Sequence, residues 1–447
     1  MLYALGAAAQ RGTEFWFVAP DATSGHSDQP IFLRVSTYSS AATVTISQPA
    51  NSSFTPISFS LGANQTQSTN LTSYITDIEN APPNTVLNKG IYIQSTADIS
   101  AYYEIKSNGN NTDIFSLKAD NALGTHFVIP AQTFWNNSAT YTPRPYSSFE
   151  IVATQDNTNV TIEVSNSIVG YSAGSTFSIN LDQGQTYSAR ATSALGADHL
   201  GGSEVTSDKP IAITISDDSG HNSAYGGCKD IMGDQLIPVS VIGSEYIVVK
   251  GFFQNGSGSS LDDKVYITAV SDNTDVYLDG SATASVTLSK GEQYEVSLSN
   301  ADLHILTSKD VYVLHISGFG CEAGAAVLPS LYCTGSSQVS FTRSKNEDFY
   351  LLLLVKTGGQ GQFEINGNKN LVSASDFHTV SSSTGQYKVA RIQFTTSEIV
   401  KDNNYIITNS NELFHAAIIN GGATSGCMYG YFSDFNSVLT EPIFHYN

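Results

Sequence analysis

One stretch of this 447-residue chain gathers an acid, an imidazole and a thiol: Asp217, Asp218, His221 and Cys228 in DDSGHNSAYGGC. A cysteine beside a histidine is a nucleophilic pairing, because the imidazole takes the thiol's proton. Interrupted by Gly220, Gly226 and Gly227, the same residues read first as a polar loop next to a disulfide. Acidic turns are the second candidate. Asp156–Asn157, Asp272–Asn273, Asp217–Asp218 and Asp262–Asp263 hold oxygen ligands of the kind calcium takes. None has the D-x-[DN]-x-[DN]-G spacing of a dedicated loop, and such pairs ordinarily bond their own backbone in a turn. The expectation is no cofactor, with calcium the one cation the turns leave open. The third candidate is QTFWNNSATYTPRPYS at 132–147, where Trp135, Tyr141 and Tyr146 accompany Arg144 between two prolines. Aromatics with arginine are the composition of recognition hot spots, so these four are the expected binding residues. The alternative is that the rings only cover the end of a strand layer.

Other catalytic signals are missing. The sequence has no G-x-S-x-G, H-E-x-x-H or phosphate-loop motif, and no G-x-G-x-x-G between a strand and a helix. His315 and His415 fall in apolar closing strands and read as half-buried structural residues. No convergent carboxylate pair is visible, and Trp16 and Trp135 are the only tryptophans for sugar stacking. Cys228, Cys321, Cys333 and Cys427 lack C-x-x-C spacing and sit in Gly-rich loops, which favours disulfides over zinc. The expected pairs are Cys321 with Cys333, locally, and Cys228 with Cys427. Four unpaired thiols in a reducing compartment are the alternative.

The elements that position these residues are strands. FEIVATQDNTNVTIEV, FSINLDQGQTYSAR and GGSEVTSDKPIAIT, within 149–214, are three hairpin signals in a row, alternating apolar positions broken by turn residues. The same three recur in order at 266–280, 284–297 and 304–317, and looser copies lie at 32–47, 57–71 and 90–104. Val44, Val160 and Val276 are equally spaced and are expected at equivalent strand positions. The predicted fold is all-β, in tandem repeats of about 110 residues built as β-sandwich-like units. A closed β-propeller with two blades per repeat is the alternative. The divisions are a lead-in or signal remnant at 1–11, repeats at 12–122, 123–240 and 241–335, a divergent repeat at 336–435 and a tail at 436–447. Short turns are expected near Thr72–Glu79 and at 373–380.

With 40 Asp and Glu against 20 Lys and Arg, the net charge of −20 repels nucleic acid and anionic lipid. No apolar run spans a bilayer, so membrane insertion is not expected. Sequons at Asn51, Asn64, Asn70, Asn110, Asn136, Asn159 and Asn255, and the apolar MLYALGAAAQ start, fit a secreted or cell-surface glycoprotein.

GTEFWF at 12–17, GTHFVIP at 124–130, the C-x-D-x-x-x-x-Q-L-x-P run from Cys228 to Pro238 and GSEYIVV at 243–249 together resemble the N-terminal domain of the IgGFc-binding protein family. The resemblance covers residues 12–430 and implies a secreted, non-catalytic binding or adhesive module. The cysteine-dense von Willebrand D-type stretches of the mucin-associated members are absent here, and Gly233–Leu236 lacks the Pro-His of their cleavage motif. The resemblance therefore does not bring mucin cross-linking or immunoglobulin binding with it. The expected partner is an extracellular protein or glycan, met by the long loops at 20–31, 107–123, 131–146 and 217–235. Two alternatives stand beside this: a glycan-active enzyme on a β scaffold, and a structural surface or matrix protein.

Overall fold

The computed structural model describes residues 10–107, 109–332 and 334–435. The first sheet contains β1 (Arg11–Phe17), β2 (Ile31–Thr37), β3 (Ala42–Ser47), β4 (Ile57–Leu61), β5 (Thr66–Asn70), β6 (Ile91–Lys106) and β7 (Thr112–Ser116). Its order is β4-β3-β6-β2-β5, with β1 and β7 also on β6. One long strand holds everything else. The first part of β6, around Ile93, pairs with β1 and β3, whereas Ile99–Ile105 pairs with β2, and its end with β7. A strand that bends from one layer into the other closes the sheet into a sandwich. Phe17, Leu33, Val44, Ile93 and Tyr103 fill the space between the layers.

The wiring recurs twice. The second sheet has β8 (Gly124–Val128), β9 (Asn136–Asn137), β10 (Ser147–Ala153), β11 (Thr158–Glu163), β12 (Thr176–Leu181), β13 (Thr186–Arg190), β14 (Glu204–His221) and β15 (Lys229–Gln235). The third has β16 (Gly243–Val249), β17 (Phe252–Phe253), β18 (Asp263–Ala269), β19 (Thr274–Leu278), β20 (Val286–Leu288), β21 (Gln293–Leu298), β22 (Asp302–Gly320) and β23 (Glu322–Val327). Their orders, β12-β11-β14-β10-β13 and β20-β19-β22-β18-β21, copy the first. Val44, Val160 and Val276 lie opposite Ser95, Ser207 and Thr307 of the long strands, and all three are fully buried. Those hydroxyl residues have one job. Ser95 Oγ donates to the Ala97 carbonyl at 2.6 Å, Ser207 Oγ to Lys209 at 2.7 Å and Thr307 Oγ1 to Lys309 at 2.6 Å. The hydroxyl satisfies a backbone oxygen where the strand changes layers and the ladder is broken.

The fourth portion comprises β24 (Gln338–Phe341), β25 (Asp348–Lys356), β26 (Phe363–Ile365), β27 (Phe377–Thr379), β28 (Tyr387–Phe394), β29 (Tyr405–Asn409), β30 (Phe414–Gly421) and β31 (Cys427–Tyr431). Here the long strand is interrupted at 410–413, and β29 and β30 belong to separate sheets, β24-β29-β26 and β27-β28-β25-β30-β31. That interruption is why its sequence looks degraded. The only α-helix among the described residues is α1 (Ile75–Ile78), and a short 3-10 turn at Ala374–Asp376 is capped by Ser373.

β7, β15, β23 and β31 pack against one another around a common axis. Asp113 of β7 ties them together. Its Oδ1 accepts from the N–H of Ile114 (2.8 Å) and Tyr429 (3.1 Å), its Oδ2 from Gly233 (3.1 Å) and Ala325 (3.4 Å). One side chain thus bonds the backbone of all four inner strands.

Candidate functional site

The four long loops meet at one place. The Thr23 N–H donates to Asp218 Oδ2 at 2.7 Å and the Thr23 hydroxyl to the Pro143 carbonyl, joining the loops after β1, before β10 and at the end of β14. Asn111 Nδ2 donates to Asp218 Oδ1 at 2.9 Å, and Ser107 Oγ to the His26 carbonyl at 3.3 Å, which adds the loop between β6 and β7. His26 lies 3.0 Å from Ser219 Oγ and stacks on Tyr141 with ring centres 4.1 Å apart. Burial, with Lys229 nearby, lowers its pKa to about 4, so it is neutral in this contact. Gly109 is required here, since a Cβ would stand 2.3 Å from the His26 carbonyl oxygen.

The convergence encloses a cavity of about 110 Å³, lined by Asp21, Asp28, Glu79, Glu150 and Asp218, with Arg144, Tyr146 and Arg190 among its walls. Elements from two sheets supply the acids. Glu79 follows α1, Glu150 is central in β10, and Asn84 and Leu87 bond the backbone of β13 to hold the first sheet against the second. Burial raises all five carboxyls, Glu79 to about 10, Glu150 to about 8 and Asp218 to about 6. Asp21 and Asp28 add to the effect on Glu79 by like-charge repulsion. Three of the acids are already engaged, Glu79 Oε1 accepting the Ala22 N–H at 3.4 Å. Glu150 accepts from Asn80 Nδ2 (2.6 Å) and Ser188 Oγ (3.0 Å), and Asp218 from Thr23, Asn111 and Ser219.

Among the expected binding residues, Arg144 is exposed, and its guanidinium lies 5.9 Å from the Tyr146 ring centre while Arg190 lies 5.1 Å from the same ring. Tyr141 is half-buried against His26, with Lys229 Nζ 5.2 Å from its ring centre. Trp135 is different. At 2 % exposure it packs against Phe134, Tyr225 and Phe253 in the core, so its expected place in a recognition surface is corrected to packing. Gln132 causes this by turning the chain inward, its Oε1 accepting the N–H groups of Phe134 and Trp135.

The cysteine pairing is also corrected. Cys228 is bonded to Cys321, with Cα atoms 5.6 Å apart, and Cys427 is a buried free thiol; Cys333 lies outside the described residues. Cys228 shortly precedes Asp230 on β15 and Cys321 immediately precedes β23, and these inner strands are neighbours at the axis, which overrides the short spacing from Cys321 to Cys333. A disulfide removes Cys228 as a nucleophile for His221. Asp217 accepts from Asn137 and Gln132 and lies 3.1 Å from His199. The hairpin acids are engaged too. Asp156 and Asp272 accept backbone N–H groups of Gln183 (3.0 Å) and Lys290 (2.9 Å). His315 lies fully buried between Asp263 Oδ2 (2.9 Å) and the Tyr429 hydroxyl (2.7 Å).

Sequence reasoning missed the carboxylate convergence, because Asp21, Glu79, Glu150 and Asp218 are remote in the chain and only Asp218 stood in a recognisable cluster. A larger open groove of about 760 Å³ lies between β2 and the 344–347 and 401–402 segments. Its lysines are paired, Lys106 with Glu104 at 3.3 Å, Lys401 with Asp402 at 3.5 Å and Lys345 with Glu347 at 3.8 Å.

Sandwich-like antiparallel sheets that gather their long loops at one seam define a class of all-β proteins presenting a loop-built surface. The family model described as IgGFc binding protein matches residues 115–419, and the chain belongs to that family. A search of curated proteins found no match.

Proposed function

We propose that this protein is an extracellular, non-catalytic binding module whose partner contacts the seam between the first and second sheets. The observation that carries the reading is the convergence of the long loops, three of which line the acidic cavity beside Arg144, Tyr146 and Arg190 while the fourth is bonded to it through Asn111. Family membership supports a protein partner, since the family is named for binding the Fc portion of immunoglobulin G. The Cys228–Cys321 disulfide supports an oxidising location. Among the described residues no helix is long and apolar enough to cross a membrane. The recurring strand order supports dividing the chain at 122/123, 240/241 and 335/336.

One observation favours a second reading. Glu79, Glu150 and Asp218 have pKa values spread from about 10 to about 6 around one cavity, and such separated carboxyls are what a glycan hydrolase needs. Against it, Glu150 and Asp218 are held by hydrogen bonds from neighbouring side chains and backbone, which suits a structural wall better than a reacting group. The test is a protein and glycan array probed with the full chain, repeated with Arg144→Glu. Capture that falls at least about tenfold in the variant supports the surface. Turnover of an arrayed glycan by the wild type, abolished by Glu79→Gln, replaces binding with catalysis.

A further inference from the structure

The inner strands present matching positions to the axis. Ser116, Gln235, Val327 and Tyr431 lie opposite Tyr102, Thr214, Leu314 and Ala417 of the long strands. Five residues earlier stand Asp230 and Glu322, within β15 and β23, and Asn111 and Gly426, immediately before β7 and β31. Asn111 is fully buried, and Asp230 and Glu322 are 1 % and 3 % exposed. Asn111 Oδ1, Asp230 Oδ1 and Glu322 Oε2 accept no hydrogen bond from any N–H or hydroxyl donor. The two carboxyl groups come from adjacent strands and lie within hydrogen-bonding reach of one another.

Their surroundings supply no countercharge. Asp113 faces them from β7 with the same sign, the Cys427 thiol lies near them from β31, and an Ala323 N–H donates to Asp230. Lys118, the buried cation of this region, is bonded to Asp234 at 2.6 Å, and Lys345 donates to the Ser425 carbonyl. Buried carboxylates with vacant lone pairs and no cation call for an ion or a shared proton. The disulfide fixes their spacing, because Cys321 immediately precedes Glu322, Cys228 shortly precedes Asp230, and both sulfurs are within 4.8 Å of a Glu322 oxygen. Oxidised sulfur is a poor metal ligand, which leaves the oxygens.

We propose that Asn111, Asp230 and Glu322 hold a divalent cation of the calcium class at the axis, bridging the first, second and third sheets. Carboxylate and amide oxygens select calcium over the softer metals, and water completes the shell. The site touches the seam only through Asn111, whose Nδ2 donates to Asp218 at 2.9 Å, and its two carboxylates lie outside the lining of the seam cavity.

The test uses the full chain stripped with chelator and titrated with calcium alone, by calorimetry and by thermal melting. Wild type is expected to bind one calcium per chain and to melt at least about 5 °C higher with millimolar calcium. Asp230→Asn/Glu322→Gln, confirmed folded by near-ultraviolet circular dichroism, is expected to lose both effects, whereas Asp156→Asn, in an exposed turn, keeps them. Wild type that binds no calcium and melts identically with and without it overturns the proposal without any variant, and leaves a proton shared by the pair. Calcium binding that survives in the folded double variant also overturns it, because the site is then elsewhere.

Discussion

Replacing Asp113 by asparagine tests the account of how the chain closes around its axis. Both carboxylate oxygens of Asp113 hold two backbone N–H donors, drawn from Ile114, Tyr429, Gly233 and Ala325. Asparagine keeps the shape and one oxygen. Its amide N–H₂ then faces two N–H groups, Gly233 and Ala325 in one orientation or Ile114 and Tyr429 in the other. Two bonds to a charged acceptor are worth about 1.5–3 kcal/mol each, and two buried donors are left without a partner. Burial raises this carboxyl well above its usual pKa even against its four N–H donors, so removing a group that is costly to ionise there offsets part of that loss. The net expectation is a destabilisation of about 3 kcal/mol. Urea unfolding followed by tryptophan fluorescence reads it, because Trp16 and Trp135 are both buried and report on the first and second sheets. Asp98→Asn, at an exposed position, is the control. A loss under about 1 kcal/mol refutes the reasoning, and means that Asp113 is neutral and the inner strands are held by packing alone.

Glu79 and Glu150 make stability fall as pH rises. Their folded pKa values, about 10 and about 8, lie above the unfolded value of 4.5, so the unfolded chain loses protons first between pH 4.5 and 8. Each contributes a slope of at most about 1.4 kcal/mol per pH unit, and Glu79→Gln is expected to flatten the profile of melting temperature against pH and to raise the value at pH 8. A variant that melts lower than wild type at pH 8 would show the acid to be ionised and stabilising. Trp135→Ala removes a core ring and is expected to cost about 3–5 kcal/mol in urea unfolding; a loss below about 1 kcal/mol would return Trp135 to the surface. Cys228→Ser/Cys321→Ser opens a loop with a sequence separation of 93 residues, for which the chain-entropy estimate is a loss of up to about 4.5 kcal/mol. An unchanged unfolding midpoint under non-reducing conditions would show the axis to be held without the staple.

The strands were legible because hairpins write themselves locally. Alternation around Val44, Val160 and Val276 places one face inward, and the serine or threonine four positions before Ile99, Ile211 and Val311 is where the long strand turns. The long loops were legible as interruptions, and their contact chemistry was partly so, in Arg144 and Tyr146. What failed depended on long-range packing. Trp135 looks like an exposed loop aromatic until Tyr225 and Phe253 arrive to cover it. Cys321 is closest in sequence to Cys333, but the strand ends beside the axis bring it to Cys228. Glu150 sits in an apolar strand whose alternation hides it, and nothing local says that Glu79 will face it across a seam.

The most direct test of the binding surface is the affinity of Arg144→Ala for the array-identified partner, measured beside its melting temperature. Lys369→Ala, altering an exposed lysine paired with Glu364, is the matched control. Arg144 is exposed and makes no buried bond, so the account predicts an unchanged melting temperature with affinity lowered at least about tenfold, and no change in either quantity for the control. Wild-type affinity in Arg144→Ala, or an equal loss in Lys369→Ala, would contradict it.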